Sequence, residues 1–387
     1  MKILLLLFSL FVAEISYAQC GKNINEGIQK IIDEYHIKYN IPGIQASVIC
    51  PGEKEPRDFV SGNITMDGTI PVQTDNLFQI GSETKSFVAV LLLKLEAKGL
   101  LSIDDTIDKW FPQVPQAWQK VTVKQLLNHT SGIFDYSDVD DFINIATNDY
   151  QRQWLDDELI NLSFNHPMYF EPGKGYHYSN TNYILAGMII KAVTGHSVEE
   201  EMNQTVLPSL QLSNTYYMPR PYSDEIRQRM AHGYGTEKPN TPYYDATELN
   251  MSLVGSAGAF ISTTHDTALW LKKLIAIKSV LPAKQQQELM SLVDVKNGQP
   301  ISENAMKEGY GFAIQHNFLS NSRNGEMWYH SGSTFGYQSK MIWLKCNDII
   351  VTMNVNIYRH ETRIHPLIDN LALYLQQMDE SDRCKLQ

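Results

Sequence analysis

The sequence predicts an α+β fold: an antiparallel sheet flanked by N- and C-terminal helices, with a mainly helical subdomain inserted between its two halves. Three observations predict it. Strand-like runs cluster near both ends of the chain, the stretch between them carries helical patterns, and an amphipathic segment lies outside the strands at each end.

Residues 1–18 read as a secretory signal, with Lys2, an apolar run from Ile3 to Ala13, and Ser16 and Ala18 flanking Tyr17 as a cleavage site. The mature chain is expected to begin near Gln19 and to be exported, periplasmic or secreted. No later stretch approaches the roughly 18 consecutive apolar residues of a membrane span, so no transmembrane segment is expected in the mature chain.

Ile24, Ile28, Ile31, Ile32 and Tyr35 recur at helical spacing. Ile44 to Cys50 and Arg57 to Val60 then flank Pro51-Gly52-Glu53-Lys54 as a hairpin. Helical runs follow at 83–98, 122–128, 181–194 and 265–277, separated by breaks such as Glu171-Pro172-Gly173. After Gly309 the chain turns to strands at Tyr310 to Gln315, Met327 to His330, Gln338 to Leu344 and Ile349 to Asn356. Leu367, Leu371, Leu375 and Met378 close it with a second amphipathic helix. This organisation assigns 19–76 and 301–387 to an α/β subdomain and 77–300 to a helical one, with the active site in the seam.

The net charge of -11 without basic runs argues against a nucleic-acid partner. Four cysteines allow one or two bridges but no disulfide scaffold. Of the three connectivities, Cys20 with Cys384 and Cys50 with Cys346 is favoured, because the first two lie just outside the terminal helices and the second two at strand ends. His360-Glu361 and His365 miss a zinc-helix pattern, since the second histidine falls at i+5 and Pro366 follows. No metal and no cofactor is expected.

The chemistry concentrates at Ser82-Glu83-Thr84-Lys85. A short apolar run, Phe78-Gln79-Ile80-Gly81, delivers the Ser82 hydroxyl to the start of a helix whose Phe87 to Leu93 is apolar on nearly every side. Residues i and i+3 share a helix face, so Lys85 lies beside Ser82, in surroundings that lower an amine pKa toward a useful base. Tyr178-Ser179-Asn180 immediately precedes another helix, which Gly195 terminates. A phenol there can pass a proton and an amide can bind a substrate carbonyl. His330-Ser331-Gly332 ends a strand and opens the turn from Ser333, where glycine lets a substrate backbone approach and pair along a strand edge. His129, in Leu126-Leu127-Asn128-His129-Thr130-Ser131-Gly132, invites a catalytic-triad reading with Ser131 or Ser82.

With these flanks, and with Leu101 to Asp105, Gly258 to Asp266 and Gly309-Tyr310-Gly311-Phe312, the chain resembles the serine beta-lactamase and penicillin-binding protein superfamily over about residues 35–356. Within it the class C beta-lactamase and soluble DD-carboxypeptidase branch is the most similar. The resemblance implies a beta-lactamase/transpeptidase-like fold and a small-molecule or peptidoglycan-derived substrate, and it makes the stretch that holds His129 a packed turn rather than part of a triad. It implies that Ser82 forms an acyl-enzyme, that Lys85 and Tyr178 share proton transfer, that Asn180 positions the acyl side chain, and that the N–H groups of Ser82 and Ser333 form the oxyanion hole. One departure stands out: many members carry Lys-Thr-Gly where this chain has His330-Ser331-Gly332, so a fixed positive charge gives way to imidazole. Lys340 on the neighbouring strand is a candidate replacement. DD-carboxypeptidase or beta-lactamase-like activity is therefore the leading expectation, with a carboxylesterase or D-aminopeptidase, or an inactive muropeptide-binding protein, as alternatives.

Overall fold

The computed structural model describes residues 20, 24–140, 142–236, 241–359 and 364–378. The signal segment, Cys384 and His360-Glu361 lie outside the described residues.

Helix α1 (Ile24–Lys38) leads into strands β1 (Gly43–Ile49) and β2 (Arg57–Gly62). Seven further strands complete a nine-stranded antiparallel sheet: β3 (Leu292–Asp294), β4 (Pro300–Ile301), β5 (Gly309–Tyr310), β6 (Gln315–Phe318), β7 (Glu326–Ser333), β8 (Gln338–Leu344) and β9 (Ile349–Val355), in the order β2-β1-β9-β8-β7-β6-β5-β3-β4. The expected single strand from Tyr310 to Gln315 is instead a tight reversal between β5 and β6. Gly311 N–H bonds the Ile314 carbonyl at 2.7 Å and Ala313 adopts a φ of 55°.

Alternation along the strands sorts side chains onto two faces. On one face Ile44, Ala46, Val48, Ile342, Val351 and Met353 pack against α1 and the last helix, α5 (Ile364–Met378). On the other, Trp328, Met341, Trp343 and Ile350 meet the helical half of the molecule, built around α2 (Thr84–Ala97) and α3 (Asn180–Thr194). Helix α4 (Thr264–Leu271) seats on that second face through polar contacts: Thr264 N–H bonds Gln45 Oε1 at 2.8 Å and Ser47 Oγ bonds Thr264 Oγ1 at 2.7 Å. Every side chain of α2 from Thr84 to Leu93 is buried, as the apolar run predicts. Among the described residues no helix is long and apolar enough to cross a membrane.

The disulfide expectation is overturned, since Cys20 bonds Cys50. The reason is a matching of lengths. The 15 residues of α1 rise about 22 Å and the seven of β1 run back about 23 Å, so the end of β1 returns to the start of α1. Cys346 is also disulfide-bonded.

Candidate active site

Gly81 to Glu83 form a single 3-10 turn that runs directly into α2, placing Ser82 and Lys85 on one face. Lys85 Nζ is fully buried and has three close oxygens: Ser82 Oγ at 2.9 Å, Asn180 Oδ1 at 2.8 Å and the Ala257 carbonyl at 2.7 Å. Burial pushes the amine down to about 7, with Asp135 pulling the other way. Two of the three oxygens only accept hydrogen bonds. A neutral amine therefore spends both N–H groups on Asn180 and Ala257, and its lone pair is left facing the Ser82 hydroxyl.

Tyr178 precedes α3 and turns its hydroxyl toward Ser82, with its ring 4.9 Å from Lys85 Nζ. Burial raises its pKa well above the ordinary phenol value, so it is protonated at neutral pH and serves as a donor and carrier. Asn180 is held differently from the expectation that its amide binds a substrate carbonyl. Its Nδ2 donates to Asp135 Oδ2 at 3.0 Å and to Ser137 Oγ at 3.2 Å, so both amide hydrogens are engaged.

Ser333 ends β7 at an open edge. Thr334 N–H bonds the Tyr337 carbonyl at 3.0 Å, so by the antiparallel alternation the Ser333 N–H points away from β8. On that side β6 pairs only Glu326 to Tyr329, so among the described residues no strand pairs with the edge beyond. A Cβ on Gly81, whose φ is 49°, would lie 2.7 Å from both Ser333 N and Ser333 O, so the residue ahead of the nucleophile touches this edge directly. The backbones of Ser82 and Ser333 are thereby neighbours, as an oxyanion hole requires.

Three expected binding groups are elsewhere. Gly332 does not face a substrate: a Cβ there would stand 1.9 Å from the Ile80 carbonyl, so its bareness admits the chain that carries Ser82. Lys340 points to the opposite face of the sheet, where alternation along β8 sends it to an ion pair with Asp369 of α5, 4.7 Å above the Tyr329 ring. His330 is 1 % exposed and faces the helical core beside Trp328.

There it completes a buried hydrogen-bond chain whose direction is fixed at both ends. Ser179 N–H donates to His129 Nδ1 at 3.2 Å, so His129 carries its hydrogen on Nε2 and donates to Tyr310 Oη at 3.2 Å. Tyr310 in turn donates to His330 Nε2 at 3.0 Å, and His330 Nδ1–H donates to the Ser331 carbonyl at 2.8 Å. Both imidazoles are neutral. Burial, with Lys85 nearby, drives His330 down to about 3 and lowers His129 in the same way. His129 is thus a packed residue at a φ of 60°, as its turn-like motif suggests, and His330 is its distant partner. Tyr310→Phe is expected to cost about 1–3 kcal/mol in chemical denaturation, because it strands two buried ring nitrogens; a change below about 0.5 kcal/mol would show that the chain is not structurally important.

The cleft beside Ser82 has a volume of roughly 320 Å³ and is walled largely by rings, those of Phe142, Tyr244, Phe335 and Tyr358 among them, with Ser82, Tyr178, Asn180 and Ser333 on its floor and sides. Tyr136, Ser137, Thr236 and Tyr244 also line it. Sequence reading missed Val254, Phe335 and Tyr358, which no local pattern marks. It also passed over Asp135, whose only signal is an acidic residue inside an apolar stretch. Among the described residues no cluster of His, Cys, Asp or Glu is arranged to hold a metal ion.

A helical half seated on an antiparallel sheet, with a serine, a buried amine and a phenol at the seam, defines a serine hydrolase of the beta-lactamase and penicillin-binding protein superfamily. The profile of the beta-lactamase family matches residues 28–373, and the chain belongs to that family. It is similar to penicillin-binding protein 4* of Bacillus subtilis (strain 168), 28% identical over 281 residues covering 70% of this chain and 59% of that one. The chain thus spans about three-fifths of that relative's length. Among solved structures it is similar to the D-amino acid amidase from Ochrobactrum anthropi SV3 complexed with L-phenylalanine amide, with a TM-score of 0.77, 26% identity and coverage of 92% of this chain and 98% of that one. It is also similar to a D-stereospecific amidohydrolase from Streptomyces sp., with a TM-score of 0.74, 28% identity and coverage of 86% and 94%.

Proposed function

We propose that this chain is an exported serine hydrolase that cleaves amide or ester bonds through an acyl-Ser82 intermediate. The observation that carries the reading is the set of partners around Lys85, which leaves the neutral amine's lone pair aimed at the nucleophile. The Ser82 proton passes to Lys85 as Oγ bonds the substrate carbonyl carbon, and the resulting oxyanion lies against the N–H groups of Ser82 and Ser333. The proton then travels through the Tyr178 hydroxyl to the departing nitrogen or oxygen, and water releases the acyl group. Export rests on the signal-like residues 1–18.

For substrate, acyl compounds without a free terminal carboxylate, such as amides of D-amino acids and short esters, are favoured over D-alanyl peptides and beta-lactams. The fates of His330 and Lys340, the groups considered for a substrate carboxylate, support this, since His330 is neutral in the core and Lys340 is spent on Asp369 across the sheet. The ring-lined walls of the cleft support an apolar or aromatic side chain on the acyl group. Similarity to penicillin-binding protein 4* keeps DD-carboxypeptidase or beta-lactamase-like chemistry as the second reading. A side-by-side turnover panel of D-phenylalanine amide, a short p-nitrophenyl ester, a D-Ala-D-Ala peptide and nitrocefin decides between them. Turnover of the first two with neglect of the others is expected, and the reverse pattern would replace the first reading by the second.

Because Lys85 must be neutral to accept the serine proton, kcat/KM is expected to rise with pH through about 7, the value to which burial brings that amine. A pH profile on an uncharged ester checks this. A rate that stays flat from pH 5.5 to about 8.5 would remove Lys85 as the base.

A further inference from the structure

The orientation of the Asn180 amide is imposed from outside its own helix. Ser179, at the N-cap of α3, makes no side-chain cap. The first N–H of that helix goes instead to Asp135, 45 residues away, whose Oδ2 accepts Asn180 N at 2.9 Å and Asn180 Nδ2 at 3.0 Å. The other oxygen of the same carboxylate accepts Ser137 N at 3.0 Å and Ser137 Oγ at 2.9 Å. Asp135 is 4 % exposed; burial raises its pKa, while the hydrogen bonds donated by Asn180 and Ser137 pull it back toward the ionised carboxylate. Since Nδ2 of Asn180 is claimed, its Oδ1 must face the other way, onto Lys85.

We propose that Asp135 is a positioning residue for this site: by fixing the Asn180 amide with its oxygen toward Lys85, and by placing a negative charge behind it, Asp135 directs the Lys85 lone pair at Ser82 and sets the charge state of that amine. The proposal rests on the acyl-Ser82 reading for its consequence, but not for its geometry. Were the amide turned over, Nδ2 would donate to the Lys85 lone pair and compete with the serine hydroxyl for it. The charged and titratable groups facing this unit are Asp135 itself, Tyr136 and Asp138 from the loop, Tyr169 against the Asp135 backbone, His129 from its turn, Tyr178 and Tyr183 at α3, Glu83 beside the nucleophile and His330 on β7. Of these, Glu83 is buried, and that burial raises it to about 8 even with the Ser339 hydroxyl nearby pulling the other way. With His129 and His330 neutral, Asp135 is the charge that bears on Lys85 near pH 7.

The test is Asp135→Asn, which is isosteric, with Asp135→Ser as a second variant that keeps one acceptor for the Asn180 N–H without the charge. Two readouts are taken from the folded full-length protein: the titration midpoint of Lys85 by NMR of lysine labelled at the side-chain carbon next to nitrogen, assigned with Lys85→Arg, and the rate of Ser82 labelling by an uncharged sulfonyl fluoride. In whichever variant retains the wild-type thermal transition, the Lys85 midpoint is expected to fall by about half a unit to one unit, and labelling at pH 8 to slow about 10-fold or more. A midpoint that stays within about 0.2 units of wild type or rises, or a labelling rate that does not change, would overturn the proposal, since loss of a merely structural contact does not lower an amine's titration. If the wild-type protein takes no label on Ser82, the acyl-serine reading fails, while the titration still decides whether Asp135 governs Lys85.

Discussion

Ser82→Ala is expected to abolish turnover, with a loss of at least about 10³-fold in kcat on any substrate the panel identifies, while leaving the thermal transition close to wild type. Of the three oxygens that Lys85 Nζ bonds among the described residues, Ser82 Oγ alone carries a proton for it to take. Its removal therefore eliminates the covalent route rather than weakening it. Stability changes little because the Ser82 side chain lines the cleft and leaves no packed void when truncated. Intact-mass spectrometry makes the result specific: an acylating probe should add to the wild-type chain and not to the variant. Residual turnover within about tenfold of wild type would show that another residue is the nucleophile.

Gly332→Ala is expected to be nearly as damaging for a different reason. The added methyl would sit 1.9 Å from the carbonyl oxygen of Ile80, a backbone atom one residue ahead of Gly81 and two ahead of the nucleophile. Ser339 Oγ, which donates to the same carbonyl at 2.9 Å, would itself lie 2.8 Å from the added methyl. The clash can be relieved only by separating β7 from the Ile80–Gly81 segment, which also separates the Ser333 N–H from Ser82. Loss of one oxyanion donor typically costs 10² to 10³ in rate, and overpacking typically costs about 1–3 kcal/mol in stability. Both losses are expected together, measured as kcat and as the midpoint of chemical denaturation. A variant with wild-type kcat and unchanged stability would mean that the two segments part without consequence.

How much of this was legible in the sequence depends on whether the relation was local. Ser82 and Lys85 are three residues apart on one helix, and the apolar residues of α2 announce its burial, so the pair and its lowered amine follow from spacing alone. The strands near both ends and the long helices were legible for the same reason, because periods of 2 and 3.6 are written in consecutive residues. His330 was misjudged because the sequence does not say which face of β7 meets the helical half. Lys340 was undecided on the same ground, and the fold sends the two to opposite faces. Gly332 was read as room for a substrate when the occupant is the chain's own backbone at Ile80. Asp135 carries no signal beyond an acidic residue in an apolar stretch, since its partner Asn180 lies 45 residues onward and the contact exists only once the loop folds over the start of α3. The Cys20 to Cys50 bridge was hidden in lengths rather than identities.

The register of the sheet has a consequence for how the molecule comes into being. Strand β1 pairs with β9, so that Ile44 lies opposite Val355, and α1 packs with α5 from the far end of the chain. During synthesis the helical middle can condense while the first hairpin still lacks its central neighbour, because closing so long a loop is entropically slow. Ser82, Lys85 and Tyr178 are all translated before the edge that bears Ser333. A ribosome must therefore deliver most of the polypeptide before any catalytic competence arises, and a prematurely terminated product ending ahead of β7 is expected to be inert and to expose an unpaired strand edge to aggregation.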